Sequence, residues 1–168
     1  QYERLCAPMS QNQFHDHDHQ GCIASALAAA EARCAAEGLR LTAQRKRVLE
    51  ILLEEHRALG AYDILARLSA EGQNAQPPVA YRALDFLVSH GFAHRIERLN
   101  AYIACTLPNE GAHMPAFMIC RNCDMVAETG RPEAELGLVS EAKNLGFAVE
   151  RSSVELEGLC PACREARP

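Results

Sequence analysis

No stretch of this chain stays apolar long enough to cross a bilayer. The longest candidate, Cys22 to Ala36, carries Glu31 and Arg33, whereas a spanning helix needs about 20 consecutive apolar residues. The first 22 residues contain no apolar run of signal-peptide length, so a cytoplasmic location without a membrane partner is expected. Met9-Ser10 has the form of a translation start, and Gln1–Pro8 are not counted in the fold. A surplus of positive charge is also missing. The formal net charge of −5 argues against indiscriminate nucleic-acid binding, yet leaves room for a local basic face. Two signatures of zinc enzymes are absent as well: there is no His-Glu-x-x-His, and no His-x-Glu partners a Pro-Cys-x-x-Cys. No enzyme and no small-molecule substrate are therefore expected.

Apolar residues are not scarce. They make up 48% of 168 residues, too many for a disordered chain, and the length suits one domain or two small ones. Cysteine is abundant at eight residues. With no leader to suggest export, and four cysteines in two Cys-x-x-Cys pairs, metal binding is the better reading than disulfides. Charge divides along the chain. Residues 23–100 hold ten Lys/Arg to nine Asp/Glu, whereas residues 101–168 hold six to ten. Arg40, Arg45, Lys46 and Arg47 form a local basic cluster suited to salt-dependent phosphate contacts, with Arg40, Arg45 and Lys46 the expected donors.

The front half has helical periodicity. Ile23, Leu27, Ala30 and Cys34 share one face of an Ala-rich helix that stops at Gly38. Thr42 caps a second helix carrying Val48, Leu49, Leu52 and Leu53. A third spans about 61–70 and buries Ile64, Leu65 and Leu68 before Gly72. Pro77-Pro78 precede a fourth, which begins at Val79, turns Ala80, Leu84, Leu87 and Val88 inward and stops at Gly91. Residues 92–98 and 101–105, joined around Leu99-Asn100, alternate as a two-stranded hairpin. Helices followed by a hairpin describe a winged helix-turn-helix, with the fourth helix as groove reader. Residues 117–120, 125–128 and 148–156 read as short strands, and 132–145 as an amphipathic helix with Leu136, Val139 and Leu145 inward. The expected fold is thus α+β: a flexible His-rich segment over 1–21, a winged-helix DNA-binding domain over 22–98, and a small α/β dimerisation domain with structural zinc over 99–168. So small a second unit leans on metal and on a partner subunit.

Two sets of metal donors stand out. Cys120-x-x-Cys123 and Cys160-x-x-Cys163 are two knuckles whose four thiolates give zinc a closed tetrahedral shell, a structural site. A redox dithiol at Cys160-Pro161-Ala162-Cys163 needs a helix opening at its first cysteine, and five residues after Cys163 leave no room for one. The second set is scattered: His94, Cys105, His113 and Glu128. Singly, each has an ordinary structural explanation. Jointly they offer two imidazoles, a thiolate and a carboxylate, a set suited to tetrahedral zinc. Two of them come from the hinge side and two from the second domain, so an ion held there fixes the domains' relative orientation. His15, His17 and His19 alternate with Asp16 and Asp18 ahead of Cys22; a flexible polar end is the preferred reading and a metal-capturing tail the alternative. Cys6 and Cys22 have no partner spacing, Cys34 reads as core, and His56 and His90 as structural residues near helix ends.

The strings Arg40-Leu-Thr-Ala-Gln-Arg45, Ala61-Tyr62-Asp63 and Pro77-Pro-Val-Ala-Tyr81-Arg82-Ala-Leu-Asp-Phe86-Leu87 resemble the ferric uptake regulator superfamily. With His94, Cys105, His113, Glu128 and both knuckles, the pattern is similar to its zinc uptake regulator branch over about residues 22–163. The resemblance implies a zinc-dependent repressor that is a homodimer through its second domain and binds an AT-rich palindromic operator in double-stranded DNA at zinc-uptake genes. It implies two Zn2+ per subunit: a structural ion at Cys120, Cys123, Cys160 and Cys163, and a regulatory one at His94, Cys105, His113 and Glu128. It also implies DNA contacts from Tyr62, Tyr81 and Arg82. An iron- or peroxide-responsive member of the superfamily is the alternative, against which the Cys105 thiolate weighs. Two positions depart from the family pattern: Ala43 stands where proline is frequent, and Val79-Ala80 where Ser or Thr usually opens the recognition helix.

Overall fold

A computed structural model of the chain describes residues 19–55, 57–72, 76–106, 115–130 and 133–166, with backbone alone at 19, 20, 22, 130 and 133–136. The first unit contains α1 (His19–Ala36), α2 (Ala43–Leu53), α3 (Ala61–Ala70) and α4 (Pro77–Ser89), followed by β1 (Ala93–Ile96) and β2 (Ala101–Ala104). The second contains β3 (Pro115–Cys120), β4 (Val126–Gly130), α5 (Glu133–Asn144), β5 (Val154–Gly158) and α6 (Pro161–Glu165).

Local chemistry sets the helix boundaries. Thr42 caps α2 as expected, its hydroxyl accepting from the Arg45 N–H at 3.3 Å. Helix α1 starts at His19 and so takes the last part of the segment 1–21 that was expected to be a flexible tail. Helix α4 starts at Pro77 and not at Val79, because proline's missing N–H costs nothing in a first turn whose amides have no helical partner. Its cap residue is Gln76, which makes no side-chain cap bond, so positions 79–80, expected to open the helix, lie inside its first turns, where Ala80 is fully buried. Gly91, at φ +70, supplies the left-handed turn that ends α4.

The first core gathers one face of each helix: Ala30 and Cys34, then Val48, Leu49, Ile51 and Leu52, then Ile64 and Leu68, then Leu84 and Leu87. Burial pushes the Cys34 thiol up from its usual value, and nearby Glu37 adds to this, so this cysteine behaves as a small hydrophobe. Leu53 and Val88 are only half-buried at its margin.

The hairpin departs from the expected alternation. β1 and β2 pair antiparallel from Ala93↔Ala104 to Ile96↔Ala101, and Asn100 turns the chain at φ +46. Every residue of β2 is buried, because both of its faces are covered. Tyr102 and Ala104 join the helical core, whereas Ile96 and Ile103 pack with Phe117, Ile119 and Val126 of the second unit in a core of their own. Leu59 exchanges two 2.8 Å backbone hydrogen bonds with Tyr102, adding a rung to the hairpin. The joint between hairpin and sheet is therefore a packed interface. Each large apolar side chain fully buried there contributes about 1.5–3 kcal/mol.

In the second unit the sheet order is β4-β3-β5, with β3 antiparallel to β4 and parallel to β5. The third strand is Val154–Gly158, shorter than the expected 148–156 and displaced toward the carboxy end, and 147–153 carry no regular structure. Leu145, expected inward, is 79% exposed; it lies beyond the last residue of α5, after the chain has left the helix. Val139 is half-buried, and the Leu136 side chain lies outside the described residues.

Candidate metal centres and nucleic-acid interface

The four knuckle cysteines converge. Cys120 ends β3, Cys123 lies in the turn that follows, and Cys160 caps α6, in whose first turn Cys163 sits. Asp124, at φ +57, closes the first knuckle, its N–H donating to Cys120 O at 3.0 Å. One sulfur from each residue can be placed within 4.8 Å of the other three. The Cys123 and Cys160 sulfurs are 3.7 Å apart. A tetrahedron with Zn–S bonds of 2.3 Å has edges of about 3.8 Å, so that pair has the spacing zinc needs. The second knuckle holds its own shape: Cys163 N–H donates to the Cys160 sulfur at 3.4 Å, and Asn122 Nδ2 to the Cys163 sulfur at 3.2 Å.

The electrostatics of this cluster ask for a cation. Burial opposes ionisation of Cys120, but N–H groups of Cys160, Asn122 and Cys123 and the Cys123 thiol all donate to it, bringing it down to about 6. Cys123 is the converse. The Met125 N–H favours its thiolate, but burial and the surrounding sulfurs, first Cys120 and then Cys163 and Cys160, push it up to about 12. Thiolates packed this closely repel one another, and a divalent ion among them removes that cost.

The structure corrects one expectation about this motif. A short helix, Pro161–Glu165, does open directly after Cys160, because the tail turns as soon as the second knuckle has closed. Cys160 nevertheless stands among three other sulfurs, and its thiol is raised, not lowered, from the usual value. The dithiol reading fails on this packing and not on lack of a helix.

The second donor set is brought together at the joint. His94 comes from β1, Cys105 follows β2, and Glu128 lies on β4. His94 Nε2 is 2.9 Å from Glu128 Oε1, and the Cys105 sulfur is 3.9 Å from the same oxygen. One ligand atom from each of the three lies within 4.8 Å of the others. His113 lies outside the described residues. Glu128 is 2% exposed, a costly place for a carboxylate unless it is fully hydrogen-bonded or metal-bound. Its other oxygen, Oε2, accepts from the N–H of Thr106 at 2.8 Å and from the Thr106 hydroxyl at 2.9 Å. Thr106 thus orients the carboxylate so that Oε1 faces His94 and Cys105. A threonine beside a cysteine carries no spacing signal, which is why the sequence did not reveal it. The ring of Phe117, 5.4 Å from that of His94, fills the side of the cluster.

The expected DNA contacts fall into two groups. Tyr62 on α3 is 78% exposed, and Tyr81 and Arg82 stand exposed together in the first half of α4. Arg40 is exposed as well. Arg45 and Lys46 are already engaged within the fold. The Arg45 guanidinium lies 3.8 Å above the Phe86 ring and donates to Arg40 O at 2.6 Å, and Lys46 Nζ donates to Glu31 at 2.5 Å. The remaining basic residue of the cluster, Arg47, pairs with Glu50, Glu54 and Glu71. Of the expected phosphate donors, Arg40 is the one whose side chain is most open to solvent.

The sequence pattern of the ferric uptake regulator family matches residues 36–157. The zinc uptake regulation protein of Escherichia coli (strain K12) is 40% identical over 139 residues, which cover 83% of this chain and 81% of that protein. Among solved structures, a zinc uptake regulator complexed with zinc and DNA superposes with a TM-score of 0.81 at 38% identity, covering 89% of this chain and 97% of the other. Holo XcZur does so with a TM-score of 0.79 at 37% identity, covering 84% and 99%. With the family pattern matching most of its length and a relative 40% identical over 83% of it, this chain belongs to the ferric uptake regulator family.

Proposed function

We propose that this chain is a zinc-responsive, DNA-binding transcriptional repressor of zinc-uptake genes, with zinc as corepressor. The observation that carries the reading is the convergence of His94, Cys105 and Glu128 at the seam between a helical unit with exposed Tyr62, Tyr81 and Arg82 and a sheet unit. The names of its relatives, a zinc uptake regulation protein and a regulator complexed with zinc and DNA, agree with it. Two zinc ions per subunit are proposed. One is held by Cys120, Cys123, Cys160 and Cys163 as a staple. The other is held by His94, Cys105 and Glu128 with His113 as fourth ligand. Bound there, zinc would tie the hairpin to the sheet through these side chains.

His94 and Cys105 belong to the hairpin, which shares its core with α2 and α4, whereas Glu128 belongs to the sheet. Drawing these side chains together fixes the hairpin on the sheet and with it the direction of α4. The functional unit is a homodimer through the second unit, a reading supported by Leu138, Phe147 and Leu156 of that unit, which are 65%, 68% and 56% exposed. A two-fold dimer then presents a pair of α4 helices to palindromic half-sites in an AT-rich operator. Tyr81 packs on sugar or a thymine methyl, Arg82 reaches a base edge or phosphate, Tyr62 adds a contact, and Arg40 supplies a phosphate contact. Only about 1.4 kcal/mol of coupling between the joint and the DNA-binding form gives a tenfold gain in operator affinity. The role is regulatory and not enzymatic, and the proposed location is cytoplasmic; among the described residues no helix is long and apolar enough to cross a membrane. The Cys105 thiolate favours zinc over iron. A DNA-shift titration of an AT-rich palindrome with zinc, iron and manganese in turn tests the reading: zinc restores binding at the lowest free concentration. Equal or stronger restoration by iron overturns it.

A further inference from the structure

We propose that Glu155 is a positioning residue, a metal-independent clasp across the joint that sets how much zinc closes it; this rests on the zinc-responsive reading above. The strand register places Glu155 beside Phe117, and Phe117 beside Glu128. Laterally paired residues share a face, so these three side chains form one row across β5, β3 and β4, turned toward the hairpin. Each has a partner there. Glu128 meets His94, Cys105 and Thr106, and Phe117 packs against the His94 ring and shares the joint core with Ile96. At the far end, the Glu155 carboxylate accepts two backbone hydrogen bonds, from Glu97 N–H at 2.7 Å and Arg98 N–H at 3.1 Å.

Those two N–H groups belong to the turn directly after β1, beyond the last rung of the hairpin ladder at Ile96↔Ala101. A carboxylate that takes both of them makes a fork of charge-assisted bonds between units 57 and 58 residues apart in sequence. His94 lies three residues before Glu97 on the same strand end. A swing that lifts the hairpin as a whole from the sheet therefore separates His94 from Glu128 and pulls the turn off Glu155 together. The two carboxylates hold opposite ends of one row, Glu128 through metal donors and Glu155 through backbone alone. Apparent zinc affinity equals the intrinsic affinity scaled by the fraction of molecules already closed. By raising that fraction, Glu155 lowers the zinc concentration at which the joint shuts. The neighbouring ion pair of Arg98 with Glu157 is 45% and 36% exposed at its side chains, so it is screened and serves as a control.

The test compares the full-length wild type with Glu155→Gln, which keeps the size but removes the charge and one acceptor, and with Glu157→Gln. Two readouts are taken: hydrogen exchange of the amides at 97 and 98 in zinc-loaded protein, and the free zinc giving half-maximal binding to an AT-rich palindrome. For Glu155→Gln the expected results are exchange at 97–98 faster by about tenfold, a half-point raised about fivefold, and affinity at saturating zinc within about twofold of wild type. Glu157→Gln is expected to change neither. Unchanged exchange at 97–98 removes the clasp. Faster exchange with an unmoved half-point removes its poising role, as does an equal shift in Glu157→Gln or a matching loss at saturating zinc. If wild type itself shows no zinc-dependent operator binding, the functional reading fails while the exchange result still decides the clasp.

Discussion

Replacing the Cys105 sulfur with oxygen changes a single donor atom in a buried cluster whose neighbours are Glu128 and the end of β2. A hydroxyl is a poor zinc ligand at neutral pH, whereas serine fits the space that cysteine leaves. Cys105→Ser is accordingly expected to fold, and to keep a zinc-loaded knuckle site, but to lose zinc-dependent operator binding; repression at the wild-type level would remove Cys105 from the sensing role. Thr106 acts at one remove, through the Glu128 oxygen that does not face the other donors. Partners that orient a metal-ligating carboxylate typically govern 10–100-fold in metal affinity. Thr106→Val keeps the backbone donor and loses the hydroxyl, so zinc affinity at the joint is expected to fall about tenfold. Thr106→Ser restores the hydroxyl and most of the affinity. A competition titration with a chromophoric chelator reads both variants, and an unchanged affinity in Thr106→Val would show that the backbone N–H alone suffices.

At the scale of elements, α2 and α3 are laced by Arg47 with Glu71 and by Arg67 with Glu55. The Arg67 guanidinium holds the Glu55 carboxyl below its usual value, against an opposing contribution from burial. A carboxylate depressed in the folded state stabilises the fold above its unfolded value, and that contribution is lost as pH falls through the folded value. Wild type is therefore expected to lose urea resistance more steeply than Arg67→Met between about pH 5 and pH 3, with the two converging at the acid end; parallel curves would contradict the pairing. The helices and the hairpin were legible in the sequence because their signals are local: an apolar stripe, Thr42 as a cap, glycines at helix ends. The strand at 154–158 was misplaced because its last three residues, Leu156 to Gly158, are all exposed, which leaves little alternation to read. The complete burial of β2 was not legible either. It depends on a sheet arriving from residues far away to cover the second face, and no window of neighbouring residues records that.

For the molecule as a whole, the same contrast governs the two metal centres. The knuckles were readable from spacing alone, because Cys-x-x-Cys fixes two donors locally and only the pairing of pairs is tertiary. The joint cluster was readable only as a set of residue types. Its three described members come from β1, the residue after β2, and β4, and what orients them, Thr106 and Phe117, reaches them only through tertiary pairing. His113 lies outside the described residues. If the knuckle ion is a staple and the joint ion a switch, the two fill at different zinc concentrations and have different consequences. The most direct measurement counts zinc per subunit while free zinc is titrated against operator binding in one series of samples. The account predicts that binding stays low through the first equivalent and rises with the second, in step with occupancy of the joint site. Operator binding that is complete at one equivalent per subunit, with the joint site empty, would contradict it.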